Sequence, residues 1–210
     1  MKITTKTTKE ITWTDLRRAD LQLGDEIAIP MKSGRELVFE VAALDVYGAA
    51  AVLVTKDLVP VGPMVGQDTN RGGWAECAGR ENVREFVGEE FPDELIGMIQ
   101  SRVIKQQLPA DGPDPVCEVC ADLVWVPSEM ELFGRENGVD LGDVHFPLYA
   151  DERSRVKQKN GETWWYPTRS PDATSSTYWR SVFIHGNANS YIASSSCGVP
   201  LGFCLKSDIE

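Results

Sequence analysis

The chain has 210 residues and a formal net charge of −11, with 42% hydrophobic and 25% charged residues. That length suffices for one domain, residues 1–210, with a substantial core, while the acidic balance argues against nucleic acid or an anionic membrane as partner, since both require a basic field. The N-terminus has no apolar signal-like region and no stretch approaches the ~18 uninterrupted apolar residues of a membrane span, so the expectation is a protein without membrane insertion, cytoplasmic as synthesised.

In chain order, alternation over residues 2–8 predicts a strand, and a second is expected over Glu26–Pro30. Ser33-Gly34 reads as a hairpin turn into a third, Glu36–Leu44, and the apolar run 49–55 fits a strand buried on both faces. Arg71-Gly72-Gly73-Trp74 reads as a tight turn seating Trp74 in the core. It lacks the Lys-Ser/Thr and the preceding strand of a phosphate-cradling loop. Two helices follow, one from the spacing of Val83, Phe86 and Val87, the other from Leu95, Ile96 and Ile99 behind Pro92-Asp93-Glu94, where proline and acids suit a helix start. Residues 123–126 read as a buried strand, and Ser128-Glu129-Met130-Glu131 as a capping box opening a short helix that ends near Gly134. Beyond Asn137, Gly, Asp and Pro break the pattern and no long element is expected.

Few residues point to chemistry. Cys117 and Cys120 have CxxC spacing beside a proline-rich stretch, 113–115, but no second ligand pair follows, so no metal is expected there. The odd count of five cysteines favours reduced thiols. His145 and His185 are too few for a His-rich site, no nucleophile elbow or HExxH occurs, and Glu85, Glu89 and Glu90 read as a solvated helix face. Trp164-Trp165 fit either a sugar platform or, with Arg169 bracing a loop, core aromatics; the core reading is favoured.

Residues 172–205 differ from the rest. They are rich in Ser, Asn and Tyr, hold only Asp172 and Arg180 among Asp, Glu, Lys and Arg, and contain a single residue, Trp179, of the five types Lys, Glu, Gln, Met and Trp. Those five types fill 42 of 176 positions elsewhere, so about 8 would be expected in this window. Tyr supplies large contact area at low entropic cost, and Ser and Asn supply adaptable hydrogen bonds, which is the composition of a binding surface.

The segments Asn70 to Trp74, 125–134, Phe146-Pro147, Trp164-Trp165 with Arg169-Ser170-Pro171, and Gly198-Val199 with Gly202-Phe203-Cys204 resemble bacterial and phage domains of C-type-lectin-like fold related to the formylglycine-generating enzymes. Within that group the chain looks like the variable proteins of diversity-generating retroelements, and the resemblance covers nearly its whole length. It implies an α+β, C-type-lectin-like domain with small antiparallel sheets and two main helices, whose C-terminal segment, 172–205, is a variable ligand-binding segment. In such systems adenines of a template are randomised, and the resulting NNC codons exclude Lys, Glu, Gln, Met and Trp, the types depleted here. A fixed skeleton at Val182, Gly186, Ala188, Ala193 and Gly198-Val199 then marks Tyr178, Arg180, Ser181, Phe183, Ile184, His185, Asn189, Ser190, Tyr191, Ile192, Ser195 and Cys197 as varied, ligand-binding positions, joined by Trp179 as an aromatic anchor.

The function so implied is receptor-type and non-catalytic, with a protein or cell-surface molecule as ligand and a virion as a further location. Two departures matter. Tyr166-Pro167-Thr168 stand where the family usually has Leu, and the calcium-lectin triplets are missing, so neither calcium nor another cofactor is expected. A carbohydrate-binding module and a formylglycine-generating-type oxidase are the alternatives.

Overall fold

The molecule, a computed structural model, is described over residues 3–5, 10–11, 16, 20–108, 116–135, 139–192, 194–195 and 197–207. The expected strand over 2–8 is described only at β1 (Ile3–Thr5); the remainder of that stretch, the prolines of 113–115, and Ala193 lie outside the described residues. Strands β2 (Glu10–Ile11), β3 (Glu26–Pro30), β4 (Glu36–Leu44) and β5 (Ala51–Thr55) follow. Next come helices α1 (Gly73–Glu76), α2 (Ala78–Glu90) and α3 (Asp93–Met98), then strands β6 (Ile99–Gln100), β7 (Arg102–Leu108), β8 (Val116–Asp122) and β9 (Val124–Trp125). The chain continues with α4 (Glu129–Phe133) and six short strands: β10 (Asp140–Leu141), β11 (Lys157–Lys159), β12 (Glu162–Trp164), β13 (Tyr166–Pro171), β14 (Tyr178–Val182) and β15 (Ala188–Ile192). It closes on β16 (Gly202–Leu205).

The fold is α+β with antiparallel pairing, but one sheet is larger than expected. It has eight strands in the order β2-β1-β3-β4-β5-β16-β6, with β9 also on β16. The C-terminal strand thus lies between β5 and the middle of the chain, which is why both strands are buried throughout. Phe203 of β16 packs edge-on against Phe39 and Phe91 at centroid distances of 5.1 and 6.4 Å, tying the N-terminal hairpin and the end of α2 to one core. Val182, Val199, Phe203 and Leu205 are buried, so part of the segment 172–205 belongs to the core.

Of the two expected helices, the second is only six residues, because Ile99 leaves it as β6. The capping box is present in full, with Ser128 Oγ accepting from the N–H of Glu131 at 3.1 Å and the Glu131 carboxylate accepting from Ser128 N–H at 2.8 Å. Gly72 and Gly73 both adopt positive φ, 75° and 53°, in the turn that delivers Trp74 to the core. There its indole N–H donates to Asp122 Oδ2 at 2.8 Å.

The hairpin β7–β8, paired from Arg102–Asp122 to Leu108–Val116, has no counterpart in the sequence reading. Its inward face carries Arg102 and Gln106 beside Ile104 and Leu108, while Val103 and Val119 face outward, so polarity does not report burial. Arg102 is held between the Glu131 and Asp143 carboxylates and under the rings of Tyr47 and Trp125, and Arg169 closes the cluster through Asp143 Oδ2 at 2.5 Å.

Candidate functional site

The middle of the compositionally distinct window folds into the hairpin β14–β15, the outer part of the three-stranded sheet β13–β14–β15. Its turn is a three-residue loop. Gly186 N–H donates to Phe183 O at 2.8 Å and Phe183 N–H to Asn187 O at 2.9 Å, with Gly186 at φ 85° in the left-handed position that such a turn requires. A Cβ added to Gly186 would lie 1.8 Å from the carbonyl oxygen of Glu152, and Arg155 Nε donates to Gly186 O at 2.8 Å. The tip is therefore seated on the body through its backbone.

The base is held the same way. The buried side-chain amide of Asn70 lies 3.1, 2.7 and 2.7 Å from the carbonyl oxygens of Asp172, Ser175 and Tyr178, and its backbone N–H donates to Ser176 O at 2.8 Å. Thr168 Oγ1 donates to Arg180 O at 3.0 Å in the middle of the strand. Each of these contacts reads the hairpin's main chain and is indifferent to the side chain it carries.

The thirteen sequence-derived positions do not share one environment. Tyr178, Phe183, His185, Asn189, Tyr191 and Ile192 are exposed, and Ile184, Ser190, Ser195 and Arg180 are half-buried. Three are corrected. Trp179 and Ser181 are buried, 1% and 3% exposed, because alternate residues of β14 point into the body. Cys197 is buried at 2% in the stretch returning to β16, where a Cβ on neighbouring Gly198 would lie 2.7 Å from Leu58 Cβ. Nor do the exposed positions share one face, since Tyr191 and Asn189 leave the hairpin on one side and Tyr178 and Ile192 on the other.

The favoured core reading of Trp164 and Trp165 is also overturned. Trp164 is 39% exposed, and half-buried Trp165 stacks on Tyr191 with centroids 4.2 Å apart and planes 36° from parallel.

Beside the hairpin lies an open cleft of about 290 Å³ lined by Glu129, Arg135, Pro171, Asp172, Thr174 and Arg180. Arg180 Nε and Nη2 donate to Glu129 Oε1 at 2.9 and 2.6 Å, and Nη1 donates to Ser190 Oγ at 2.6 Å and lies 3.5 Å from Asp172 Oδ2. Burial pushes the Asp172 carboxyl up, but hydrogen bonds from Ser190 and Thr174 and the Arg180 charge outweigh it and hold the group below the usual carboxylate range. Arg180 and Ser190 are thus engaged within the protein, and the signal that sequence reasoning missed is their complement: Glu129 was read only as part of a helix cap.

The other candidate residues do not come together as one site. β8 runs through Cys117 and Cys120 and its alternation sends them to opposite faces, so the CxxC spacing does not form a chelate. Burial pushes the Cys197 and Cys204 thiols up to about 12, which leaves both protonated near neutrality. Half-buried His145 approaches Tyr149 O through Nε2 at 3.3 Å. Among the described residues no group of three or more His, Cys, Asp or Glu is placed to hold a metal ion, and no helix is long and apolar enough to cross a membrane.

Compared with known families, residues 49–207, about three quarters of the chain, match the family described as "Domain of unknown function (DUF6273)", and the chain belongs to that family. No curated protein and no solved structure matches it. The matched region begins just before β5, so β3 and β4 precede it yet belong to the same sheet.

Proposed function

We propose that this member of the family is a non-catalytic binding protein of C-type-lectin-like fold, and that its β14–β15 hairpin is a ligand-contacting surface diversified by a retroelement. The observation that carries the reading is the manner of attachment. Asn70, Arg155 and Thr168 grip the hairpin by main-chain carbonyls, so the side chains of Tyr178, Phe183, His185, Asn189, Tyr191 and Ile192 are free to change while the backbone stays in place. The same window is the one depleted in the residue types that NNC codons cannot encode. Aromatic anchors with adaptable polar neighbours suit recognition of a macromolecular surface.

Sequencing the DNA around the coding segment tests the origin of the diversity. A reverse-transcriptase gene beside a near-copy of the C-terminal coding segment, differing at template adenines, is the expected finding; an isolated gene without a second copy would contradict it. A carbohydrate-binding module is favoured by one observation, the exposed Trp164 near the Trp165–Tyr191 stack, and a glycan array separates it from a protein binder. An oxidase would require reactive thiols, whereas those of Cys197 and Cys204 are buried and protonated near neutrality.

A further inference from the structure

The hairpin turn determines which main-chain groups of β15 face outward. Phe183 and Asn187 close the turn as a bonded pair, so in an alternating antiparallel ladder Ser181–Asn189 and Trp179–Tyr191 bond across, while Val182–Ala188, Arg180–Ser190 and Tyr178–Ile192 turn their N–H and C=O groups away from each other. Four bonds agree with that phase. Arg180 O accepts from Thr168 Oγ1 at 3.0 Å and Tyr178 O from Asp172 N–H at 3.0 Å on the β13 side. On the open side, Ser190 N–H donates to Asn189 Oδ1 at 2.8 Å, and Ile192 O accepts from Ser195 N–H at 3.2 Å.

β15 is the last strand of its sheet. Among the described residues, Ala188 N–H and C=O, Ser190 C=O and Ile192 N–H have no partner along that edge. The strand carries no Lys, no Pro and no charge, and its register with β14 is uninterrupted, so these blocks to edge pairing are missing from it. The Asn189 amide occupies Ser190 N–H as an incoming strand would. The split of exposed side chains between two faces then acquires a reason. A ligand lying on one face would meet Tyr191 and Asn189 or Ile192 and Ser190, whereas a strand at the edge passes between these pairs and meets both.

Resting on the reading of the hairpin as a binding surface, we infer that its ligand is an extended peptide segment of a partner protein that adds to β15 as a fourth strand of the sheet β13–β14–β15. Main-chain bonds to Ala188, Ser190 and Ile192 supply the common part of the recognition, and Tyr191 and Ile192 grip alternate side chains on the two sides.

The test uses the full chain and a random library of linear peptides of roughly twelve residues, long enough to overlap the whole edge. Binders should be selected whose affinity falls at least about ten-fold when alternate peptide nitrogens are methylated, with little effect at the intervening ones. Their binding should slow hydrogen exchange at the Ala188 and Ile192 amides. Ala188→Pro, which removes an outward N–H, should weaken binding to a similar degree while the circular dichroism spectrum is retained, and peptide methylation gives the answer independently if that variant misfolds. Binders indifferent to methylation that still require Phe183, Tyr191 or Ile192 would overturn the strand-addition inference and leave the display reading intact. Failure to select any peptide would overturn it as well, and so would a dimer of the chain abolished by Ala188→Pro. Binders insensitive to every exposed hairpin side chain would remove the display reading itself.

Discussion

Asn70 serves the hairpin without touching its side chains, and this makes it the residue on which the attachment most depends. Replacing it by Ala leaves the carbonyls of Asp172, Ser175 and Tyr178 without their shared donor, which should destabilise the protein by about 1–3 kcal/mol in chemical denaturation and loosen the hairpin base in hydrogen exchange. The residue stood in a sequence word that was read for the turn at Trp74 and for the family resemblance; nothing local distinguishes an Asn that bonds three distant carbonyls from one in an ordinary turn. Lys157 was equally illegible. It is buried, with Nζ donating to Thr55 O and Lys56 O at 2.6 and 3.2 Å and lying 3.6 Å from Glu40. Burial pulls its ammonium down from 10.5 to about 8, although Glu40 opposes the fall. Between those values the unfolded chain holds more protons than the folded one, so this residue's contribution to stability rises with pH there and is flat below about 8. Relative to Lys157→Met, the wild-type protein should gain on the order of 2 kcal/mol between about pH 7.5 and 9.5; an unchanged difference in urea melts at the two pH values would assign Lys157 an ordinary pKa.

Elements were legible where polarity followed burial. β3, β4 and the capped helix α4 sit where alternation and the Ser128–Glu131 box placed them. The hairpin β7–β8 was not, because Arg102 and Gln106 face inward with their charge and amide satisfied by buried partners, while Val103 and Val119 face out. The β14–β15 hairpin was recognised by composition as a surface, yet composition carries no phase, so buried Trp179 and Ser181 were grouped with exposed Tyr178 and half-buried Arg180. Gly186 is the element's critical position. An Ala there needs a left-handed backbone and a Cβ 1.8 Å from Glu152 O, so Gly186→Ala should cost at least about 2 kcal/mol and lift the tip off Arg155. Faster exchange at the Phe183 amide would report the displaced turn; unchanged exchange and stability would mean that the tip is not seated as described.

At the scale of the whole molecule, a charged interior underlies the nearly neutral hairpin β14–β15. Arg102, Arg169, Glu131 and Asp143 join β7, β13, α4 and the loop before Phe146. Burial raises the Asp143 carboxyl, but Arg169 and Arg102 more than reverse this and hold it below its ordinary value. Removing one cation strands a buried carboxylate, so Arg169→Met should lose about 3–5 kcal/mol, measured by thermal and urea unfolding; a loss under about 1 kcal/mol would show that the cluster is hydrated and dispensable. The acidic composition announced the carboxylates but not that two of them meet two arginines far apart in sequence.

The separation of this scaffold from its surface is the central claim, and a library tests it most directly. Tyr178, Phe183, His185, Asn189, Tyr191 and Ile192, all exposed, would be randomised together in the full chain and the folded fraction scored by protease resistance. Exposed substitutions typically shift stability by about ±0.5 kcal/mol each, so most members should remain folded, whereas the same randomisation of buried Trp179, Ser181 and Val182 should leave few. If randomising the six exposed positions unfolds the protein as often as randomising the three buried ones, the hairpin is part of the core and not a surface built to vary.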